Sequence, residues 1–257
     1  MSSIEHHITK DGSSTLYSNT FDQYYHNPKG AVSESRHVFF ETSGLVSTLP
    51  SNNKPFSIFE VGFGTGLNFL LLLDYCTKFK VNTPIQFYSV EAFPAKPDTI
   101  NLINYEDVLD DEAFKPFLTN VFSSLKKGWN KYRLTSQNNV TLNLFFGTFD
   151  ELTIPETEID FFFHDPFSPE VNEELWTVET FEKLTAMANE SAVLSTYCAA
   201  SKARAALAKA GWNIARAKGA LGKREMTIAS LNQEKLRGFK RLNEARLIER
   251  FNNGDFS

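Results

Sequence analysis

The sequence predicts an α/β fold: a mostly parallel sheet closed by an antiparallel C-terminal hairpin, with a small N-terminal extension ahead of it. Three observations carry this. Strand-like apolar runs alternate with helical runs from Phe56 to Ala210, the order that builds parallel sheets. The run FSIFEVGFGTGLNFLLLL, Phe56 to Leu73, passes from a β-former-rich strand through three alternating glycines straight into a Leu-rich helix. NIARA and EMTIAS, finally, flank KGALGKR with no room for a crossover helix, so they read as a hairpin.

Composition narrows the class. At 257 residues, with 42% hydrophobic and 22% charged residues, the chain can bury a core and is not a disordered polymer. No opening apolar segment and no apolar run of membrane-spanning length occurs, so a cytoplasmic protein without membrane association is expected. Cys76 and Cys198 are far apart and lack metal-type spacing, which predicts reduced, buried thiols and no metal site. The net charge of −5 hides an asymmetry. Residues 1–199 carry 13 Lys and Arg against 26 Asp and Glu, whereas residues 200–257 carry 13 against 5. That pattern describes either a basic face on an acidic body or a solvated tail with scattered charges.

Taken in order, residues 1–44 read as an extension: a hairpin about Asp11-Gly12, a loop marked by Asn27-Pro28 and Gly30, and a helix over Glu34–Ser43 stopped by Gly44. Arg36 and His37 on that helix would serve a site or merely cap a surface. Residues 45–231 form the main domain. After the glycine-rich strand and its helix comes a strand over Ile85–Phe93, then helical stretches at Asp98–Asp107 and Asp111–Leu125. Trp129 and Tyr132 are expected in a polar linker before a strand at Val140–Gly147. A strand at Ile159–Phe163, a helix from about Asn172 to Asn189, the strand AVLSTYC and a helix at Lys202–Ala210 follow. Residues 232–257 read as a basic helical tail.

In parallel sheets ligands collect outside the carboxyl ends of the strands, where Glu60–Gly66, Glu91, Thr148–Asp150 and Asp165–Phe167 all fall. Gly62, Gly64 and Gly66 let backbone approach a ligand closely, and the helix that follows points free N–H groups at it. The G-x-G-x-G spacing differs from both the dinucleotide fingerprint and the phosphate loop. Glu60 would repel a pyrophosphate but suits a cationic ligand such as S-adenosylmethionine. An ordinary strand–helix turn would show the same glycines. Glu91, closing the second strand, stands where a carboxylate accepts from ribose hydroxyls; a solvated strand-end charge is the plainer alternative. Asp165 is placed to accept a proton from an amine and orient its lone pair, while Phe167 offers a stacking face. A turn that merely closes a strand would read the same way.

The blocks FDQYYHNPKGAVSESRHVFFE, EVGFGTGLNFL, FYSVEAFP, LFFGTFDEL, FFHDPFSP and GALGKREM, spread over about residues 17–230, resemble the methyltransferase-domain family of the tRNA 5-methylaminomethyl-2-thiouridine biosynthesis proteins, MnmC, and their stand-alone relatives, MnmD. The resemblance implies a seven-stranded Rossmann-like methyltransferase fold that uses S-adenosyl-L-methionine and needs neither metal nor FAD. It implies methylation of the aminomethyl nitrogen of 5-aminomethyl-(2-thio)uridine at the tRNA wobble position. By position, Glu60, Gly62, Gly64, Gly66 and Asn68 match the donor loop, Glu91 the ribose carboxylate, and Asp165 the residue acting on the amine. Thr148, Phe149 and Asp150 match the adenine side. Two departures stand out. The family often reads Leu-Asp-Gly-Phe where this chain has His164-Asp165-Pro166-Phe167, and Gly-Asp where it has Gly147-Thr148, so Asp150 is expected to take over the adenine contact.

A tRNA substrate implies further partners on the protein. Phe167 and Tyr197 would catch the wobble base, and Lys202, Arg204, Lys218, Lys223 and Arg224 would line the rim, with Lys240 and Arg241 extending the track along the anticodon loop. No obligate protein partner is expected. Two other readings compete: a small-molecule amine methyltransferase or aminopropyl transferase on the same fold, which needs no basic patch, and a non-catalytic RNA-binding module, which needs no intact donor loop.

Overall fold

A computed structural model describes residues 4–156 and 158–256. The first three residues, placed by the sequence in the N-terminal extension, and Ser257 of the tail lie outside the described residues, as does Thr157.

The chain opens with a small antiparallel sheet of β1 (Ile4–Ile8), β2 (Ser14–Ser18) and β3 (Gln23–Tyr24). The β1–β2 turn runs through Asp11-Gly12, with Gly12 at φ +84°. Asp11 holds this sheet to the next element: its carboxylate accepts from Ser13 Oγ, from Ser33 Oγ at 2.6 Å and from Ser33 N at 2.9 Å. That tertiary cap explains why the helix starts before the expected Glu34. α1 spans Ala31–Ser35 and runs on as a π-helical stretch, Arg36–Glu41, rather than as one α-helix to Ser43. Gly44, at φ +81°, then turns the chain into the short α2 (Leu45–Thr48).

The main sheet has β4 (Phe56–Val61), β5 (Ile85–Glu91), β6 (Gly128–Leu134), β7 (Gln137–Phe146), β8 (Ile159–His164), β9 (Ala188–Thr196), β10 (Asn213–Ala217), β11 (Met226–Ser230) and β12 (Lys240–Arg241), in the order β12-β10-β11-β9-β8-β4-β5-β7-β6. Seven of these strands form the unit β7-β5-β4-β8-β9-β11-β10, in which β11 runs antiparallel to β9 and to β10. β6 and β12 extend its two edges. From β4 the chain builds outward to β7 and then returns to β8 on the other side, so the topological switch lies between β4 and β8.

Helices cover both faces. β4 is buried throughout: Phe56 and Ile58 pack toward α3 (Leu67–Phe79) and α6 (Phe114–Ser124), while Phe59 and Val61 pack toward α7 (Val178–Thr185) and α8 (Ser201–Lys209). Between α3 and α6 lie the short α4 (Pro97–Ile100) and α5 (Tyr105–Leu109). Burial on both faces is what a central parallel strand requires, and the near-continuous apolar run of β4 provides it.

Other elements also differ from expectation, and the stretch expected as helical over Asp98–Asp107 divides into α4 and α5. Trp129 and Tyr132 lie in the edge strand β6, not in a linker: Trp129 packs edge-on against Tyr88 and Phe145, which gives a polar strand its apolar anchor. The expected helix over 172–189 divides into a 3-10 turn, Glu173–Trp176, and α7, because Thr177 Oγ1 accepts from Thr180 N and starts a fresh helix. The C-terminal segment is not one helix. It makes a 3-10 turn, Gln233–Leu236, then β12, and only then α9 (Glu244–Asn252), capped by Asn243. No helix among the described residues is long and apolar enough to cross a membrane.

Candidate functional site

The carboxyl ends of β4, β5, β7 and β8 surround a cavity of ≈ 270 Å³. Its floor is the β4–α3 turn, held to the end of β5 by Gly62 N and Phe63 N, each 3.2 Å from Val90 O. Gly62 has φ +93°, and a Cβ there would come within 2.8 Å of Asp165 O, so two backbone segments touch where a side chain would separate them. Glu91 stands half-buried at the opposite wall, accepting from Gly64 N at 2.8 Å and Phe93 N at 2.7 Å. Burial pushes its carboxyl pKa up, against the pull of those N–H groups.

Glu60 is near this cavity but not in its wall. It is 1% exposed beneath the turn and accepts from Ser89 Oγ at 2.7 Å and Asn68 Nδ2 at 2.9 Å. Burial pushes its pKa up to about 8 despite these bonds. Asn68, in the first turn of α3, links it to the surface: the same Nδ2 also donates to Asp165 Oδ2 at 3.1 Å. Asn68 Oδ1 is buried and has no hydrogen-bond partner among the described residues.

Thr148, Phe149 and Asp150, just past β7, line the far end. Thr148 N and Oγ1 both donate to Glu151, which turns the exposed threonine toward its own loop and leaves the Asp150 carboxylate as the acidic group on this wall. Lys183 Nζ binds Phe149 O at 2.6 Å and lies 5.0 Å from the centre of the Phe149 ring.

A second cavity, ≈ 420 Å³, adjoins the first. Five residues line both: Tyr25, His26, Asp165, Pro166 and Phe167. Asp165 follows β8 directly, its N–H bonded to Val61 O at 3.0 Å. Burial, then the charges of Glu60 and Glu34, raise its pKa well above the usual carboxylate range. Tyr197 lines the second cavity and donates to Pro166 O at 2.7 Å; Lys223 Nζ lies 5.2 Å from the centre of its ring and 2.8 Å from Glu34 Oε1.

Sequence reasoning missed the N-terminal contribution. Phe21, Tyr25 and His26 close the first cavity, with Phe21 and Tyr25 5.0 and 5.2 Å from Phe167, centre to centre. Glu34 joins Lys223 to Asn27 across the second. FDQYYHN does carry a signal, an aromatic cluster in an otherwise polar loop, but nothing local says which surface it covers.

The expected basic rim is only partly a rim. Arg204 is 5% exposed and spent on structure: it bonds Thr227 Oγ1, Glu225 Oε2 and Met226 O, because α8 turns it inward over β11. It is therefore corrected from an RNA contact to a buried ion pair. Lys202 is exposed and pairs with Glu173. Lys218 and Arg224 are exposed with no ion-pair partner among the described residues. Lys240 and Arg241 lie on the edge strand β12, four strands from β8, about 19 Å away at the usual strand spacing.

Residues 110–232 match the model of a family described as S-adenosyl-L-methionine-dependent methyltransferase. The chain is 32% identical over 230 residues to the tRNA 5-methylaminomethyl-2-thiouridine biosynthesis bifunctional protein MnmC of Legionella pneumophila, covering 83% of this chain and 34% of that protein. To the MnmC protein of Marinomonas sp. it is 30% identical over 223 residues, 84% of this chain and 32% of the relative. It thus spans about a third of the length of these curated relatives. The crystal structure of MNMC2 from Aquifex aeolicus has the same fold, with a TM-score of 0.71 at 23% identity over 97% of this chain and 76% of that one. The chain belongs to the MnmC-type family of S-adenosyl-L-methionine-dependent methyltransferases.

Proposed function

We propose that this protein methylates the aminomethyl nitrogen of 5-aminomethyl-(2-thio)uridine at the tRNA wobble position, giving the 5-methylaminomethyl nucleoside. The observation that carries the reading is the shared partition. Asp165, Pro166 and Phe167, with Tyr25 and His26, line both a glycine-floored cavity and the second one, so a group passing between ligands in the two passes beside Asp165.

The residues present fit S-adenosyl-L-methionine in the first cavity. Asn68 Oδ1, a buried acceptor without a partner, suits an ammonium group. Glu91 retains lone pairs for ribose hydroxyls, and apolar Val90 and Phe149 suit a flat base, with Asp150 in place of the family's acidic residue at Thr148. When bound, the donor supplies an electrophilic methyl group on a cationic sulfur. The chain's own task is to align the acceptor and take its proton. Asp165, with its raised pKa, is a stronger base than an exposed carboxylate and therefore better matched to an amine. Asn68 fixes that carboxylate from the donor side. Phe167 and Tyr197 present faces to a flipped-out base in the second cavity. Lys218, Lys223 and Arg224 hold the phosphates near it.

The test is incubation with S-adenosyl-L-methionine and tRNA carrying the unmethylated aminomethyl uridine, followed by nucleoside mass spectrometry. Appearance of the 5-methylaminomethyl nucleoside is expected. A protein that binds the donor and methylates free amines, but leaves tRNA untouched, would return the function to a small-molecule methyltransferase.

A further inference from the structure

We propose that His26 is a second hydrogen-bond acceptor for the substrate amine, and that with Asp165 it limits the reaction to a primary amine and a single methyl transfer. This rests on the function proposed above.

The passage between the two cavities is where the acceptor nitrogen must sit, and its five lining residues offer few partners for an N–H group. The Pro166 carbonyl already accepts from Tyr197, and Phe167 has no polar side-chain atom. Tyr25 lines both cavities, and burial and then the Glu91 charge keep its hydroxyl protonated. Among the side chains there, Asp165 and His26 are the two with a basic lone pair to offer. The imidazole of His26 makes no side-chain hydrogen bond among the described residues, and its Nδ1 is buried. That leaves Nε2 as the nitrogen able to meet a ligand, and it accepts in the tautomer whose ring proton sits on Nδ1.

The position of His26 is fixed although its ring is unpartnered. Its N–H donates to Thr15 Oγ1 at 3.0 Å, and its carbonyl accepts from the same hydroxyl at 3.2 Å. Thr15 is 0% exposed in β2, so the backbone is clamped to the small sheet. The carboxylates lining the two cavities are Asp22, Glu34, Glu91, Asp150, Asp165 and Glu174, and of these Glu34 is the one whose charge acts on the ring. Burial pushes the His26 pKa down to about 4, only partly offset by Glu34, so the ring is neutral at physiological pH and keeps a lone pair. A neutral ring adds no positive charge beside a cationic methyl donor.

The chemistry follows from counting hydrogens. A neutral primary amine has two N–H bonds and one lone pair. Two fixed acceptors, Asp165 and His26, engage both hydrogens and leave only one direction for the lone pair, toward the first cavity. As nitrogen bonds to the methyl carbon, the methyl–sulfur bond breaks with its electron pair leaving on sulfur, and one proton passes to Asp165. The secondary amine that results has one N–H. It cannot satisfy both acceptors while its lone pair faces the donor, and its methyl group would lie against the imidazole edge. The name of the relatives, which specifies one methyl on the aminomethyl group, matches that stop.

The experiment compares His26→Leu, which keeps bulk but removes the acceptor, with His26→Gln, which restores one. Each is assayed with S-adenosyl-L-methionine and aminomethyl-uridine tRNA, reading turnover, donor affinity by calorimetry, and the ratio of mono- to dimethylated nucleoside. For His26→Leu a fall in kcat of about tenfold is expected, the rate equivalent of one hydrogen bond, with donor affinity unchanged and dimethylated nucleoside appearing. His26→Gln should recover kcat to within a few-fold and suppress the dimethylated product. If His26→Leu turns over as wild type and yields only the monomethyl nucleoside, His26 does not hold the amine. If both variants lose activity equally while still binding donor, the role is packing and the proposal also fails. Absence of methylated tRNA with the wild-type protein would instead overturn the function on which this inference rests.

Discussion

The site has two walls of different origin. Gly62–Asn68, Glu91 and Thr148–Asp150 lie within a few residues of parallel strand ends, so forming the sheet brings them together. Phe21–His26 and Glu34 reach the same space from the three-stranded sheet and the helix after it, held by Leu16 and Phe39 in the apolar core and by polar contacts: Asp11 to Ser33, Ser14 Oγ to Asn104 at 2.7 Å, and Glu34 to Lys223. The first wall follows from backbone pairing and buried apolar area. The second shares no strand pairing with the large sheet and is joined to it by side chains alone. For the proposed acceptor, a bulky polyanion, the division is useful: the strand-paired side offers the donor cavity, and the side held by side chains meets the nucleoside.

The largest effect should come from the residue both walls share. Asp165→Asn keeps the shape of the partition but removes the base, so turnover is expected to fall roughly 10²–10⁴-fold. Donor affinity should hold, since Asn68 still has Glu60 as its main acceptor. In the wild type, activity should rise with pH through the elevated Asp165 pKa, because only the ionised carboxyl accepts a proton. A turnover near wild type in the Asn variant would make Asp165 a turn-shaping residue.

Next in size is a pair of substitutions that strike one wall each. Gly62→Val places a branched side chain at φ +93° and against Asp165 O, which should cost about 2–5 kcal/mol of stability by strain and overpacking and abolish donor binding. Gly64 is more forgiving, since a Cβ there meets only Tyr25 Cδ1 at 3.5 Å, although its φ of +56° is still strained. Asp11→Ala should leave the sheet wall and donor affinity intact while raising hydrogen exchange across Ile4–Tyr24. Global unfolding at unchanged cooperativity in Asp11→Ala would mean that the two walls are one unit.

The same division explains what the sequence reveals. The glycine turn is legible because strand, glycines and helix are contiguous, and the strand-end positions of Glu91 and Asp165 because strand ends can be located by pattern. The partition's Tyr25 and His26 are not, because their neighbours are about 140 residues away in sequence. Arg204 misleads for a related reason: on a helix of alanines it looks like a surface cation, and only the β11 position of Thr227 and the approach of Glu225 show where it points. β6 is hidden because an edge strand needs only one apolar face, which Tyr132 and Leu134 barely announce.

Acid should separate the walls more gently. Glu60 has a folded pKa of about 8, above its unfolded value, so the folded state holds that proton more tightly. Its contribution is full below pH 4.5 and is lost as pH rises through 8, by up to a few kcal/mol. Asp11 has the opposite sign: burial opposes ionisation, but hydrogen bonds from Ser13, Ser33 and Thr9 hold its pKa below the usual value. Its contribution is present above pH 3.8 and is lost as pH falls. Denaturation across pH 4.5–8 should therefore show a decline that Glu60→Gln flattens. If Glu60→Gln declines as steeply as wild type, some other group carries the slope.

The smallest effect concerns the basic hairpin that faces the acceptor wall. Lys223 is already half-committed to Glu34, whereas Arg224 is exposed and unpaired among the described residues. A cation that must leave a carboxylate to meet a phosphate gains less than a free one, so Arg224 should dominate RNA binding at this edge. Each lost phosphate contact should flatten the slope of log affinity against log salt by about 0.7–0.9. Arg224→Gln is expected to show most of that change, Lys223→Gln a fraction of it, and the double variant little more than their sum. Arg204→Gln is the control: it breaks the pair with Glu225, so it should lower thermal stability without changing the salt slope. If Lys223→Gln flattens the slope as much as Arg224→Gln, the pair with Glu34 opens when RNA arrives, and the acceptor wall is remodelled by its substrate.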